Sequence, residues 1–177
     1  MTIASAIGSM VSSAYLDRAT SHSMVAWELA GSAIQSQKLL NGWGAEGMRL
    51  AGFCLGFDFF FLAAYVTSIG LACLWARDGF EERGWPLAGL GLILSFAMLA
   101  AGLFDGIENY ALLQQLLHGA DDGWAFTARI FAISKFGIVV LSLVFSALGS
   151  IAQEKPIVGL ILGVITALIL RPVWANL

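Results

Sequence analysis

Asp105, Glu108 and Asn109 stand at i, i+3 and i+4 in the stretch Leu103-Phe104-Asp105-Gly106-Ile107-Glu108-Asn109-Tyr110. On a helix these positions share one face. Two carboxylates and an amide on one face of a membrane helix are costly unless they pair, hold water or hold a ligand. Paired carboxylates are also the equipment of general acid–base catalysis. Asp58 stands alone among Phe57, Phe59, Phe60 and Phe61, with Tyr65 seven residues on, roughly under the same face. Facing lipid, Asp58 would cost about 2.5–3.5 kcal/mol even on the lenient insertion scale, so it is expected to point inward. Lys135 lies in a third apolar run, about 16 Å past its start by helical rise and too deep for snorkelling alone.

The elements that must position these residues follow from hydropathy. The chain has 177 residues, 59% hydrophobic and 12% charged, about half the charge of an ordinary soluble domain. Four runs approach or exceed the roughly 20 apolar residues that a span requires: approximately 50–76, 86–113, 124–150 and 156–174. The fold class read from this pattern is all-α, an integral membrane four-transmembrane-helix bundle with an amphipathic helical N-terminal segment over 1–45. The whole chain, 1–177, reads as a single membrane domain. Short connectors make consecutive spans antiparallel neighbours. Asp58, Asp105 and Lys135 then fall at similar depth, with Glu108, Asn109 and Arg129 nearer the same surface. Arg129 and Lys135 are six residues apart, roughly 120° around a helix, and need different partners.

Secondary features complete the reading. Ile3, Ile7, Met10, Val11 and Ala14 form one stripe over residues 2–16. Ser32 is expected to cap a short helix that ends at Asn41-Gly42. Trp27 and Trp43 fit an interfacial aromatic belt, and Glu28 reads as a surface carboxylate. Gly52 with Gly56, Gly91 with Ser95, and Gly159 with Gly163 and Ala167 are expected to form close-packing faces, as are Ala128, Ala132 and Ser142. Pro86 is expected to open the second span, Gln114 and Gln115 to mark its exit, and Arg171-Pro172 to end the last span.

Several function classes are disfavoured. A net charge of −3 argues against nucleic acid as a partner. The sequence has no recognisable nucleophile pair, metal-ligand cluster or phosphate-binding glycine loop. His22 and His118 fall outside the spans, which disfavours a haem held by two histidines. No cofactor and no metal are expected. Cys54 and Cys73 lie roughly 28 Å apart on one span and are expected to stay unlinked. No cleavable signal peptide is expected, because the first basic residue is Arg18 and no apolar core with a cleavage site follows it. Basic residues divide equally between the two sides, so the positive-inside rule assigns no orientation.

Three pieces carry a resemblance: Trp-Glu-Leu-Ala-Gly-Ser before a Trp-Gly, Leu-Gly-Phe-Asp-Phe-Phe-Phe-Leu-Ala-Ala-Tyr, and Phe-Asp-Gly-Ile-Glu-Asn followed by Ser-Lys-Phe. Together they resemble an uncharacterised family of bacterial four-helix integral membrane proteins with no assigned activity. The resemblance covers roughly residues 27–150. It implies a bacterial inner (cytoplasmic) membrane and adds no mechanism.

The polar layer of Asp58, Tyr65, Asp105, Glu108, Asn109 and Lys135 admits two readings. One is a structural network in which Lys135 neutralises a buried acid. The other is a binding site for an amphipathic small molecule, lipid or ion. A single network lysine does not require Asp105, Glu108 and Asn109 all on one face, so binding is the leading expectation. The alternatives are an accessory or structural subunit of a larger membrane complex, packing against a membrane protein partner, and a lipid-modifying enzyme using the paired carboxylates. The sequence assigns no catalytic residue.

Overall fold

A computed structural model describes residues 24–177, which contain five helices: α1 Met24–Glu28, α2 Ala33–Glu82, α3 Ala88–His118, α4 Asp122–Ala152 and α5 Pro156–Asn176. The stripe expected over 2–16, and His22, lie outside the described residues. Helices α2 to α5 are each long and apolar enough to cross a membrane. The chain is therefore an integral membrane protein built as a helical bundle. Helices α3 and α4 have 31 residues each, roughly 46 Å by helical rise. That exceeds a hydrocarbon core of about 30 Å, so their ends reach the headgroup layers. Helix α5, at 21 residues, roughly matches the core.

Local chemistry sets the breaks. Ser32 caps α2 in extended geometry, its hydroxyl accepting from the Gln35 amide at 3.4 Å. The helix then runs past Asn41-Gly42 and breaks at Gly44 (φ 64°, ψ −173°), a conformation almost restricted to glycine. Residues 33–43 thus form a separate helical segment ahead of the first span. Its first half is tied to the junction of α3 and α4: the Ala33 amide donates to Asp122 Oδ1 at 2.7 Å, and the Ala120 amide donates to Gln37 Oε1 at 3.2 Å. Asp121 caps α4 by accepting from the Gly123 and Trp124 amides.

Helix α4 is the hub. It packs against α1, α2, α3 and α5, while α2 and α5 barely meet. Its inner face carries Ala128, Ala132 and Ser142, all fully buried, as their small size predicts. Small residues also set the closest helix approaches, though not all those expected. Gly91 lies on the Cys73 carbonyl and Gly149 on Ala76, whereas Gly56 and Gly163 have open space where a Cβ would stand. Gly163 instead faces a lipid-side groove between α4 and α5.

Other expectations are corrected. Pro86 precedes the Leu87 cap of α3 instead of opening the helix, and α5 continues through Pro172 to Asn176. Gln115 is 1% exposed, buried in the bundle one turn before the helix ends at His118. Trp27 and Trp43 form no belt; they are buried edge-to-face with centroids 5.4 Å apart, part of the cluster that seats α1 and the 33–43 segment. Cys54 and Cys73, both on α2, are not joined in a disulfide.

Candidate functional site

The polar residues from α2, α3 and α4 meet around the Lys135 ammonium. Lys135 Nζ donates to Asp105 Oδ1 at 2.6 Å. Glu108 Oε2 lies 2.8 Å from the same nitrogen, in ionic contact but off the hydrogen-bond direction. The Tyr65 hydroxyl donates to Asp105 Oδ2 at 2.8 Å, so both Asp105 oxygens are satisfied. Asn109 Nδ2 donates to Asp58 Oδ2 at 2.7 Å. The helical spacing of Asp105, Glu108 and Asn109 explains this division. Asp105 and Glu108 turn towards α4, while Asn109, one position further round, reaches α2.

Asp105, Glu108, Asn109 and Lys135 are all buried, whereas Asp58 is partly exposed. Tyr65 sits under the same face as Asp58, as its spacing suggests, but its hydroxyl serves Asp105. Arg129 does not join the group. Its side chain lies against Gly31, where a Cβ would come within 2.6 Å of Arg129 Cδ.

One participant was misread from the sequence. Glu28, expected at the surface, is carried into the layer by α1. This short helix packs against α2, α4 and α5, and its return is made by Leu29 to Ser32 with Gly31 at φ 72°. The Glu28 carboxyl meets that of Glu108, and its Oε2 is buried with no hydrogen-bond donor. Burial pushes the Glu28 carboxyl above its ordinary range, an effect that Lys135 opposes. A signal for Glu28 was present: it is the one carboxylate between Asp17 and Glu46, flanked by Trp27 and Leu29.

A cavity of about 490 Å³ adjoins the layer, within the size range of small-molecule sites. Glu28, Asp58, Tyr65, Asp105 and Lys135 line its polar end. The remainder is apolar, between Phe61, Ile69 and Ala72 of α2 and Leu162, Ile165 and Ile169 of α5, over Val139 and Leu143 of α4. It occupies the gap left where α2 and α5 both lean on α4 without meeting. Glu108 and Asn109 stand behind this lining and support it. Among the described residues, no three His, Cys, Asp or Glu side chains are arranged to hold a metal ion.

Fold and site together define a helical membrane protein with a buried charged layer at the head of an apolar cleft. No protein-family model matches the chain, and searches of curated proteins and of solved structures return no match.

Proposed function

We propose that this protein binds an amphipathic small molecule or lipid in the cleft between α2 and α5, with its head at the polar layer and its tail along the apolar walls. The observation that carries this reading is the two-part lining of one cavity, charged at one end and apolar over the rest. A purely structural ion-pair network needs no adjoining space, and a cleft for hydrocarbon alone needs no charges. Asp58 and Ala72 are fourteen residues apart on α2, roughly 21 Å by helical rise, which is ample length for a single acyl or alkyl chain. Lateral entry from the bilayer suits the gap between α2 and α5. On the resemblance described above, that bilayer is the bacterial inner membrane.

The geometry favours binding over catalysis. Both oxygens of Asp105 are engaged by Lys135 and Tyr65, which holds this carboxyl as a fixed acceptor. The experiment is native mass spectrometry of protein extracted in mild detergent, comparing wild type with Ala72→Phe, which fills the apolar cleft at a distance from the charges. Wild type is expected to carry a stoichiometric adduct that Ala72→Phe loses. Equal adduct levels in both, or none in either, would overturn the reading.

A further inference from the structure

The head of the cleft is built to accept hydrogen bonds and positive charge. Four carboxyl groups, those of Glu28, Asp58, Asp105 and Glu108, surround one ammonium, Lys135. That ammonium is engaged by Asp105 and Glu108, the two acids set deepest. Its remaining face stands 5.0 Å from the Phe136 ring centroid. The two other acids line the cavity, and neither forms an ion pair among the described residues. Asp58 is met by the neutral Asn109 amide through one oxygen only. Glu28 Oε2 is buried with no donor at all. Glu108, fully buried, likewise keeps Oε1 without a donor. A buried carboxylate oxygen without a donor is among the most costly groups a protein can hold. The tyrosine hydroxyl that lines the cavity already donates to Asp105.

Building on the amphiphile-binding reading, we infer that the occupant has a cationic head, a protonated amine on a single apolar chain, seated between Glu28 and Asp58. An ammonium brings up to three donors and the positive charge that these two acids lack. Hydrogen bonds to ionised partners are roughly twice as strong as neutral ones. An anionic head, as on a fatty acid, would meet four carboxyl groups with the one compensating ammonium already held by two of them. A bare metal ion suits the site less well, since the carboxyls do not converge on one point; an organic head is wide enough to touch acids on two helices.

The test uses three probes of one chain length: dodecylammonium, dodecanol and dodecanoate. Binding to the purified full-length protein in a nonionic detergent is measured by titration calorimetry for wild type, Glu28→Gln, Asp58→Asn and the cleft-filled Ala72→Phe. Partition into micelles is the same for every variant, so differences between variants report the site. Wild type is expected to hold dodecylammonium at least about tenfold more tightly than dodecanol, with dodecanoate weakest. Glu28→Gln and Asp58→Asn should each erase most of that preference by weakening dodecylammonium far more than dodecanol. Amine and alcohol bound equally well, both displaced by Ala72→Phe, would leave the cleft reading standing and overturn the cationic head. Dodecanoate bound most tightly would also overturn it and assign the head to Lys135. No cleft-dependent binding of any probe would remove the amphiphile reading and this inference together. Circular dichroism of each variant separates loss of binding from loss of fold.

Discussion

Replacing Lys135 with methionine keeps most of the apolar stem of the side chain and removes the ammonium, its charge and its donors together. In the structure that charge touches Asp105 Oδ1 at 2.6 Å and Glu108 Oε2 at 2.8 Å. The side chains of the two acids are 3% and 0% exposed, so water cannot replace the ammonium. Breaking a buried pair by deleting one partner costs about 3–5 kcal/mol, and here two acids lose their partner together, so the upper part of that range is expected. Asp105→Asn in the Lys135→Met background should recover only part of the loss, because Glu108 stays uncompensated. Adding Glu108→Gln should recover most of the remainder. The assay is equilibrium unfolding in mixed micelles of dodecyl maltoside with rising dodecyl sulfate, followed by far-ultraviolet circular dichroism. Coupling between Lys135 and each acid of about 1 kcal/mol or more, read from double-mutant cycles, supports the ion-pair geometry. A Lys135→Met loss under about 1 kcal/mol, or losses that simply add, would refute the claim that this lysine neutralises both acids.

Two further predictions concern the placement of Glu28. Gly31→Ala puts a Cβ 2.6 Å from Arg129 Cδ at a residue with φ 72°; it should destabilise the protein by about 1–3 kcal/mol in the same unfolding assay and weaken dodecylammonium binding through displacement of α1. The second is a pH dependence. The Glu28 carboxyl is raised above its ordinary value of 4.5 in the folded chain, so folding favours its protonated form. Its contribution to stability is fully present below about pH 4.5 and is lost as pH rises through the raised value. Asp58, Asp105, Glu108 and Lys135 face the same layer, so the comparison is made against Glu28→Gln. Wild-type stability should fall with rising pH above 4.5 relative to that variant, and parallel pH profiles would contradict the assignment.

The spans and the polar layer were legible because charge in a membrane is so costly. Asp58, Asp105 and Lys135 have few tolerable positions, and three separate helices had to bring them together. The short connectors then fixed which ends met. Partner choice was less legible: Tyr65 reaches Asp105 and not Asp58, and Asn109 reaches Asp58, because helix rotation of a few tens of degrees decides such pairs and no hydropathy pattern records it. Glu28 was misread for a different reason. Five helical residues are too few to show a periodicity, and the return through Gly31 that folds them back onto α4 leaves no mark beyond one glycine. The aromatic pair Trp27 and Trp43 failed likewise, since an interfacial tryptophan and one that seats a short helix have the same neighbours in sequence. The apolar cleft was invisible for want of any marker, because a residue facing a cavity and one facing lipid are equally hydrophobic. Gly56 and Gly163 illustrate the same ambiguity among small residues.

The most direct test of the central claim is photolabelling in reconstituted vesicles with an alkylamine carrying a diazirine near the end of its chain, followed by peptide mapping. The account predicts label concentrated on the cleft walls, around Ala72 on α2 and Leu162 and Ile165 on α5, and its loss in Ala72→Phe. Label spread evenly over the lipid-facing surface, with Phe96 and Leu99 of α3 marked as heavily as the cleft and no response to Ala72→Phe, would contradict it.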